Sequence, residues 1–156
     1  MSGELKGLLT LLRNRGWQVS LPCSASPLPP IFVRRYPWLP REVCEFVSEV
    51  SEAYRGDGRF WLSTAADFRG ESGASYAWNE WELLSLEAAE GDADRIRDIR
   101  GFWDKHAPLV LSVEDGYAYY AIRQDGRIVF GREPEFEEAD MICESFFDLL
   151  LRFANE

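Results

Sequence analysis

Residues 109–131, LVLSVEDGYAYYAIRQDGRIVFG, consist of three apolar runs separated by two turn dipeptides. The runs are Leu109–Val113, Tyr117–Ile122 and Ile128–Phe130. Their β-branched and aromatic residues favour strands. The dipeptides Asp115-Gly116 and Asp125-Gly126 are typical of type I′ hairpin turns, in which both central residues take positive φ. The stretch therefore predicts a three-stranded antiparallel meander at about 109–131.

Helical periodicity flanks this meander on both sides. Apolar residues recur at three- and four-residue spacing in four segments, which predicts amphipathic helices. The segments are about 4–15, 41–54, 92–106 and 139–153. A further apolar run at 59–63 suits a buried strand. Because no βαβ units alternate along the chain, the order predicts an α+β fold, a single domain whose mainly antiparallel sheet is flanked by helices.

The N-terminal part of the chain differs in composition. Residues 17–40 contain six prolines together with several serines, which excludes a helix or a central strand and predicts a connector crossing the surface. We therefore divide the chain into an N-terminal helix with a Pro/Ser-rich connector, residues 1–35, and an α+β domain, residues 36–156. Both parts are expected to form one globular unit.

The chain of 156 residues is acidic, with 17 Lys and Arg against 27 Asp and Glu and a net charge of −10. This balance argues against nucleic acid and anionic membranes as partners. The charge is uneven, because residues 79–156 hold nineteen acidic and eight basic residues. The densest cluster, free of Lys and Arg, consists of Glu133, Glu135, Glu137, Glu138 and Asp140.

Two interpretations of this cluster stay open. It is either a solvated link whose last glutamates favour the N-terminus of the following helix, or a patch that meets a basic protein surface. A calcium loop would require a D-x-[DN]-x-[DN]-G spacing, which is missing.

Signals for enzymatic chemistry are weak. The chain has one histidine, His106, and three cysteines, Cys23, Cys44 and Cys143, at spacings that fit neither a disulfide framework nor a zinc site. Phosphate-loop, dinucleotide and zinc-protease motifs are absent. We therefore predict no catalytic residue, no metal and no cofactor, although a hydrolase that uses two carboxylates stays open. Short apolar runs and the lack of a signal-peptide pattern favour a cytoplasmic protein.

Aromatic residues offer a second kind of candidate site. Trp78 and Trp81 are three residues apart in Trp78-Asn79-Glu80-Trp81-Glu82, and such a pair beside carboxylates either anchors a protein partner or packs in the core. Tyr119, in the middle strand, is similar, since one face of the sheet has to be covered while the other can expose it as a binding surface.

Several short sequence features, taken in chain order, resemble those of the SUKH superfamily. They are Trp38-Leu39-Pro40 before a helix, Phe60-Trp61-Leu62-Ser63 after it, Phe102-Trp103 before a strand, Asp115-Gly116-Tyr117 with Tyr119 and Tyr120, and Glu144-Ser145-Phe146 at the closing helix. The similarity covers about 36–153. It leaves 1–35 uncovered, and 64–91 departs from the shortest members of the superfamily.

The resemblance implies a single α+β domain without enzymatic activity. Bacterial members of that superfamily are mostly immunity proteins that bind a cognate toxin, often a nuclease or deaminase, and the superfamily also includes a fungal regulator of cell-wall glucan synthesis. We therefore expect an intracellular protein that occludes the basic active-site region of a toxin. The alternative is a regulatory or scaffold module without a toxin partner.

Overall fold

The computed structural model describes all 156 residues as one α+β domain built on a seven-stranded antiparallel sheet. The strands follow one another across the sheet in chain order. They are β1 (Trp17–Ser20), β2 (Glu52–Arg55), β3 (Phe60–Leu62), β4 (His106–Ser112), β5 (Ala118–Arg123), β6 (Ile128–Arg132) and β7 (Asp140–Cys143). The predicted meander is confirmed as β4, β5 and β6, and the apolar run at 59–63 is confirmed as β3.

Seven helices cover the two faces of the sheet. They are α1 (Gly3–Asn14), α2 (Pro30–Arg34), α3 (Arg41–Glu49), α4 (Ala65–Phe68), α5 (Glu80–Ala88), α6 (Ala93–Asp104) and α7 (Phe146–Asn155). Helices α1–α4 and α7 contribute to a large core on the first face, whereas α5 and α6 form a smaller core on the second face. No helix combines the length and the apolar character that crossing a bilayer requires.

Two of the predicted helices are too long because a strand follows or precedes each of them. The helix expected at 41–54 ends at Glu49, and residues 52–55 form β2, since Val50 already has extended backbone angles. The helix expected at 139–153 is preceded by β7, and the Ser145 hydroxyl then caps α7 by accepting a hydrogen bond from the Asp148 amide at 3.1 Å. In both cases apolar residues of a short strand extend the helical spacing by chance.

The predicted connector also holds regular structure, and the exclusion of a helix from residues 17–40 is wrong, whereas the strand found there is an edge strand and not the excluded central one. Strand β1 lies before the first proline of that segment and pairs with β2 at the edge of the sheet. Helix α2 begins at Pro30, where a missing amide hydrogen costs no helical hydrogen bond. Residues 1–35 therefore contribute an edge strand and, through the leucines of α1, part of the main core.

Neither predicted type I′ turn forms. Between β4 and β5, Gly116 has φ of 86° but Asp115 does not have positive φ, and the hairpin between β5 and β6 departs from that turn type in the same way. No residue other than glycine has positive φ, and in this turn only Gly126 does, with φ of 85°. Its amide donates to the Arg123 carbonyl at 2.9 Å, while the Arg123 amide donates to the Arg127 carbonyl at 2.8 Å. These bonds define a three-residue loop made of a type I turn followed by a glycine bulge.

Candidate protein-binding site

One row of side chains crosses the second face of the sheet. The strand register places Tyr54 beside Trp61, Trp61 beside Leu111, Leu111 beside Tyr119, and Tyr119 beside Gly131. Directly paired residues project from the same face of a sheet, so all five positions share that face. Helices α5 and α6 cover the Tyr119 end of this row, where Tyr119 packs in the second core.

The Tyr54 end of the row forms the floor of a cleft. The cavity has a volume of about 790 Å³, within the range of ligand pockets. Its other wall comes from the irregular segment between α4 and α5, which we call the cleft loop, residues 69–79. Four half-buried aromatic residues line it, and the ring centroids of two of them, Trp61 and Tyr76, lie 6.2 Å apart. The four are Tyr54, Trp61, Tyr76 and Tyr117.

The charged residues that line the cleft are all acidic, namely Glu52, Asp67 and Glu80. Asp67 caps α4, since its Oδ2 accepts a hydrogen bond from the Thr64 amide at 2.8 Å. Oε2 of Glu80 accepts from the Ala77 amide at 3.1 Å. None of the three carboxylates forms an ion pair. The cleft therefore combines aromatic walls with uncompensated negative charge.

Burial and the nearby carboxylates both raise the pKa of two tyrosines in the cleft, Tyr117 and Tyr76. Burial raises the pKa of Tyr117 to about 12, and the carboxylates of Glu80 and Glu133 add to the shift. Burial likewise raises the pKa of Tyr76, with Asp67 as the next contribution. Both phenols thus remain neutral hydrogen-bond donors and acceptors at physiological pH.

A second acidic feature, which we call the acidic segment, is the connection between β6 and β7 with the first residue of β7, residues 133–140. Four of its five carboxylates are exposed, and the fifth, that of Glu137, is half-buried. The exposed ones are Glu133, Glu135, Glu138 and Asp140. None of the five forms an ion pair with an arginine or lysine. Its negative charge is therefore directed to solvent without an internal counterion.

The acidic segment is fixed to the second core rather than being a loose link. The Phe136 side chain is 7% exposed, and its carbonyl accepts a hydrogen bond from the Tyr119 hydroxyl. Oε2 of Glu137 accepts from the Trp103 indole at 2.9 Å and from the Ser85 hydroxyl at 3.0 Å. Glu137 is thus a structural residue that ties the segment to α5 and α6. This corrects its expected place in a solvated link before a helix N-terminus, since β7 and not a helix follows.

Tyr117 joins the cleft to the acidic segment. Its amide donates to Oε1 of Glu133 at 3.2 Å, and its carbonyl accepts from the Glu133 amide at 3.0 Å. Its ring lines the cleft and lies with its centroid 6.3 Å from that of Phe136. The acidic segment therefore adjoins the cleft at Tyr117 and Glu133.

The tryptophans and the tyrosine expected as partner anchors lie in the cores. Tyr119 is 0% exposed and Trp81 is 1% exposed, because α5 and α6 close over both rings, so the expectation that Tyr119 lies on an open face is wrong. Trp78 is half-buried, with its ring centroid 5.4 Å from Phe68. The half-buried aromatic residue next to Tyr119 on the same face is Tyr117, which immediately precedes β5.

Sequence reasoning missed the cleft because its parts lie far apart in the chain. Tyr54 was assigned to a helix, and the cleft loop has no periodicity. The one available signal was strand alternation, since Tyr117 and Tyr119 share a face and the end of a strand is less covered than its middle.

The remaining candidates for chemistry do not converge on the cleft. His106 lies at the start of β4, where its Nδ1 is 2.7 Å from the Phe102 carbonyl and its ring stacks on that of Phe102 at 3.9 Å. Burial lowers the pKa of His106. The three cysteines are unpaired, and no group of three or more His, Cys, Asp or Glu side chains is placed to hold a metal ion.

Fold and site together define an α+β domain with an acidic, aromatic surface on the second face of its sheet. Comparison with protein-family models, with curated proteins and with solved structures yields no match. The resemblance to the SUKH superfamily therefore stays a prediction.

Proposed function

We propose that the protein is a non-enzymatic, cytoplasmic binding protein of the SUKH type that neutralises a cognate bacterial toxin. The partner is a toxin domain with a basic surface, such as a nuclease or deaminase, whose active-site region is occluded. The observation that carries this proposal is the acidic segment, whose exposed carboxylates are held on a packed layer and lack a cation within the chain.

Fixed carboxylates suit recognition of a basic surface for two reasons. The contacts of Phe136 and Glu137 order the segment before binding, so little conformational entropy is lost on association. Carboxylates without an internal ion pair keep their full attraction for a partner, which raises the association rate at low salt. Toxins that act on nucleic acids carry cationic phosphate-binding surfaces, and an acidic protein can compete there.

The contacts in the cleft support a binding role over hydrolysis by two carboxylates. Asp67 and Glu80 each use one carboxylate oxygen to accept a hydrogen bond from a backbone amide, so both already have a role in the local fold. Neither histidine nor cysteine lines the cleft, so no nucleophile and base pair accompanies them.

The test begins with capture of the partner from the native host and its identification by mass spectrometry. Association of the purified partner is then measured by stopped flow over a range of salt concentrations, for the parent protein and for Glu135→Lys/Glu138→Lys. The matched control is Glu4→Lys/Asp148→Lys, which makes the same charge change at two exposed positions of α1 and α7, the helices that cover the first face of the sheet.

The reversal in the acidic segment is expected to slow association about tenfold or more and to flatten its salt dependence, whereas the control retains most of the parent rate. The same variant is also expected to protect the toxin's target less well than the parent protein does. If both double variants slow association equally, the acidic segment is not part of the interface. A captured partner without toxic activity supports the regulatory or scaffold alternative instead.

A further inference from the structure

The cleft beside the acidic segment has a composition suited to one kind of side chain. Its floor is made by Tyr54 and Trp61, which are directly paired across β2 and β3 and are both half-buried. Tyr76 and Tyr117 extend the aromatic lining. Flat aromatic faces attract cations through their quadrupole, and they stack with a planar guanidinium better than with a compact ammonium.

The carboxylates of the cleft supply the complementary charge. Asp67 and Glu80 each use one oxygen to accept a backbone amide, and their other oxygens, Oδ1 and Oε1, have no hydrogen-bond partner in the chain. No arginine, lysine or histidine lines the cavity to neutralise them. A cationic group entering between the aromatic rings would thus meet acceptors that are already positioned.

We propose that this cleft binds an arginine side chain presented by an exposed loop of the protein partner. The inference rests on the proposed function for the nature of that partner. The cavity of about 790 Å³ exceeds the volume of a single side chain, so it also accommodates backbone on either side of the arginine. Tyr117 and Glu133 join the cleft to the acidic segment. Basic residues that surround the arginine on the partner would therefore face the exposed carboxylates.

The probe for this site is a blocked tripeptide, acetyl-Gly-Arg-Gly-amide, titrated into the whole protein and followed by two-dimensional NMR. We expect saturable shifts of the Trp61 indole and of the Tyr76 and Tyr117 amides. The matched peptide with citrulline keeps the shape of arginine and removes its charge. It is expected to bind at least tenfold more weakly, since the carboxylates then lack a cation.

Two variants with the same charge change locate the binding. Glu80→Gln removes one carboxylate from the cleft, whereas Glu71→Gln removes an exposed carboxylate of the cleft loop that does not line the cavity. We expect the arginine peptide to bind at least threefold more weakly to the first variant and unchanged to the second. Tyr76→Ala, in the irregular loop, removes one aromatic wall and is expected to weaken binding similarly.

Several outcomes would overturn the inference. If the citrulline peptide binds as tightly as the arginine peptide, the cleft is an apolar groove without a preference for a cation. If the shifts are centred on residues 133–140, the arginine binds to the acidic segment instead. Absence of binding at millimolar peptide excludes an arginine site. If free arginine amide binds as tightly as the tripeptide, the cleft takes small cations rather than a protein loop.

These outcomes are separate from those for the proposed function. The peptide titration uses no toxin, so the cleft can bind arginine even if charge reversal in the acidic segment leaves partner association unchanged. Conversely, loss of toxin binding in Glu135→Lys/Glu138→Lys supports the proposed function whatever the peptide does.

Discussion

The indole nitrogen of Trp103 donates a hydrogen bond to Oε2 of Glu137 across 2.9 Å. Trp103 lies in α6 and Glu137 in the connection between β6 and β7, so this bond ties the acidic segment to the helical layer on the second face of the sheet. One carboxylate of a cluster that looks uniformly solvated in the sequence thereby has a structural role, while its neighbours remain exposed.

Replacing Glu137 is expected to lower the free energy of unfolding. Glu137→Leu leaves the Trp103 indole and the Ser85 hydroxyl without their acceptor, which costs about 1–3 kcal/mol. Glu138→Leu alters an exposed neighbour and is expected to change stability by less than about 0.5 kcal/mol. Urea denaturation followed by tryptophan fluorescence measures both. Equal values for the two variants would mean that the bond contributes nothing to stability.

The same residue predicts a pH dependence. Burial holds the pKa of Glu137 above its ordinary value of 4.5, although bonds from Ser85 and Trp103 act in the opposite direction. Between 4.5 and that raised pKa the folded protein retains a proton that the unfolded chain has released, so the contribution of Glu137 to stability falls as the pH rises. The difference in unfolding free energy between the parent and Glu137→Gln is expected to decrease over this interval. An increase with pH contradicts the prediction.

Breaking the ion pair between Arg35 and Glu82 is expected to lower the free energy of unfolding more than breaking an exposed ion pair. Both guanidinium nitrogens Nη1 and Nη2 donate to the carboxylate, at 2.7 and 2.6 Å, and Glu82 is 5% exposed. Glu82→Ala leaves Arg35 with its bond to Asp104 and a long one to the Arg100 carbonyl, and it is expected to cost about 2–3 kcal/mol. Arg97→Ala, in an exposed pair of α6, is the control and costs at most about 1 kcal/mol.

A double variant separates the loss of the pair from the burial of an unpaired charge. Arg35→Met/Glu82→Leu removes both charges and keeps much of the volume, so it is expected to recover part of the stability that Glu82→Ala loses. Denaturation of all four proteins under one buffer gives the comparison. A double variant that is less stable than Glu82→Ala means that the pair itself is strongly favourable.

Gly131 is expected to tolerate no side chain. A Cβ there would meet the ring and hydroxyl of Tyr119, which lies directly across from it on β5. Gly131→Ala has to displace a fully buried ring and is expected to destabilise the protein by about 1–3 kcal/mol. Gly7→Ala, within α1 and facing open space, is expected to stabilise it by about 0.5–1 kcal/mol. Thermal unfolding measures the change in stability of both variants. A change of the same sign in the two would refute the packing argument.

The three thiols are expected to react at different rates. Cys23 is exposed, Cys44 is half-buried and Cys143 is buried, and burial raises the pKa of the last two thiols. With a disulfide reagent at pH 8 we expect one fast phase and two phases slower by about tenfold or more, because the thiolate is the nucleophile. Cys23→Ser removes the fast phase. A fast phase that persists in this variant shows that a second thiol is accessible.

The sequence alone predicted the α+β class, the central meander and the existence of the main helices, because periodicity and turn residues are local signals. Its errors were also local. The helix expected at 41–54 merged α3 with β2, since the apolar residues at 50 and 54 satisfy both periods over a short run. Composition likewise predicted that negative charge is concentrated in the second half of the chain.

Only the tertiary structure decided which of these residues are buried and which remain exposed. Periodicity shows which residues share a face of the sheet, but it does not show what covers that face. Tyr117 and Tyr119 therefore look equivalent in the sequence, whereas in the structure α5 and α6 cover only Tyr119. The same holds for the cleft, where Tyr54, Trp61 and Tyr117 come together through strand pairing between distant segments. Burial and charge compensation depend on contacts distant in sequence, and local patterns carry no information about them.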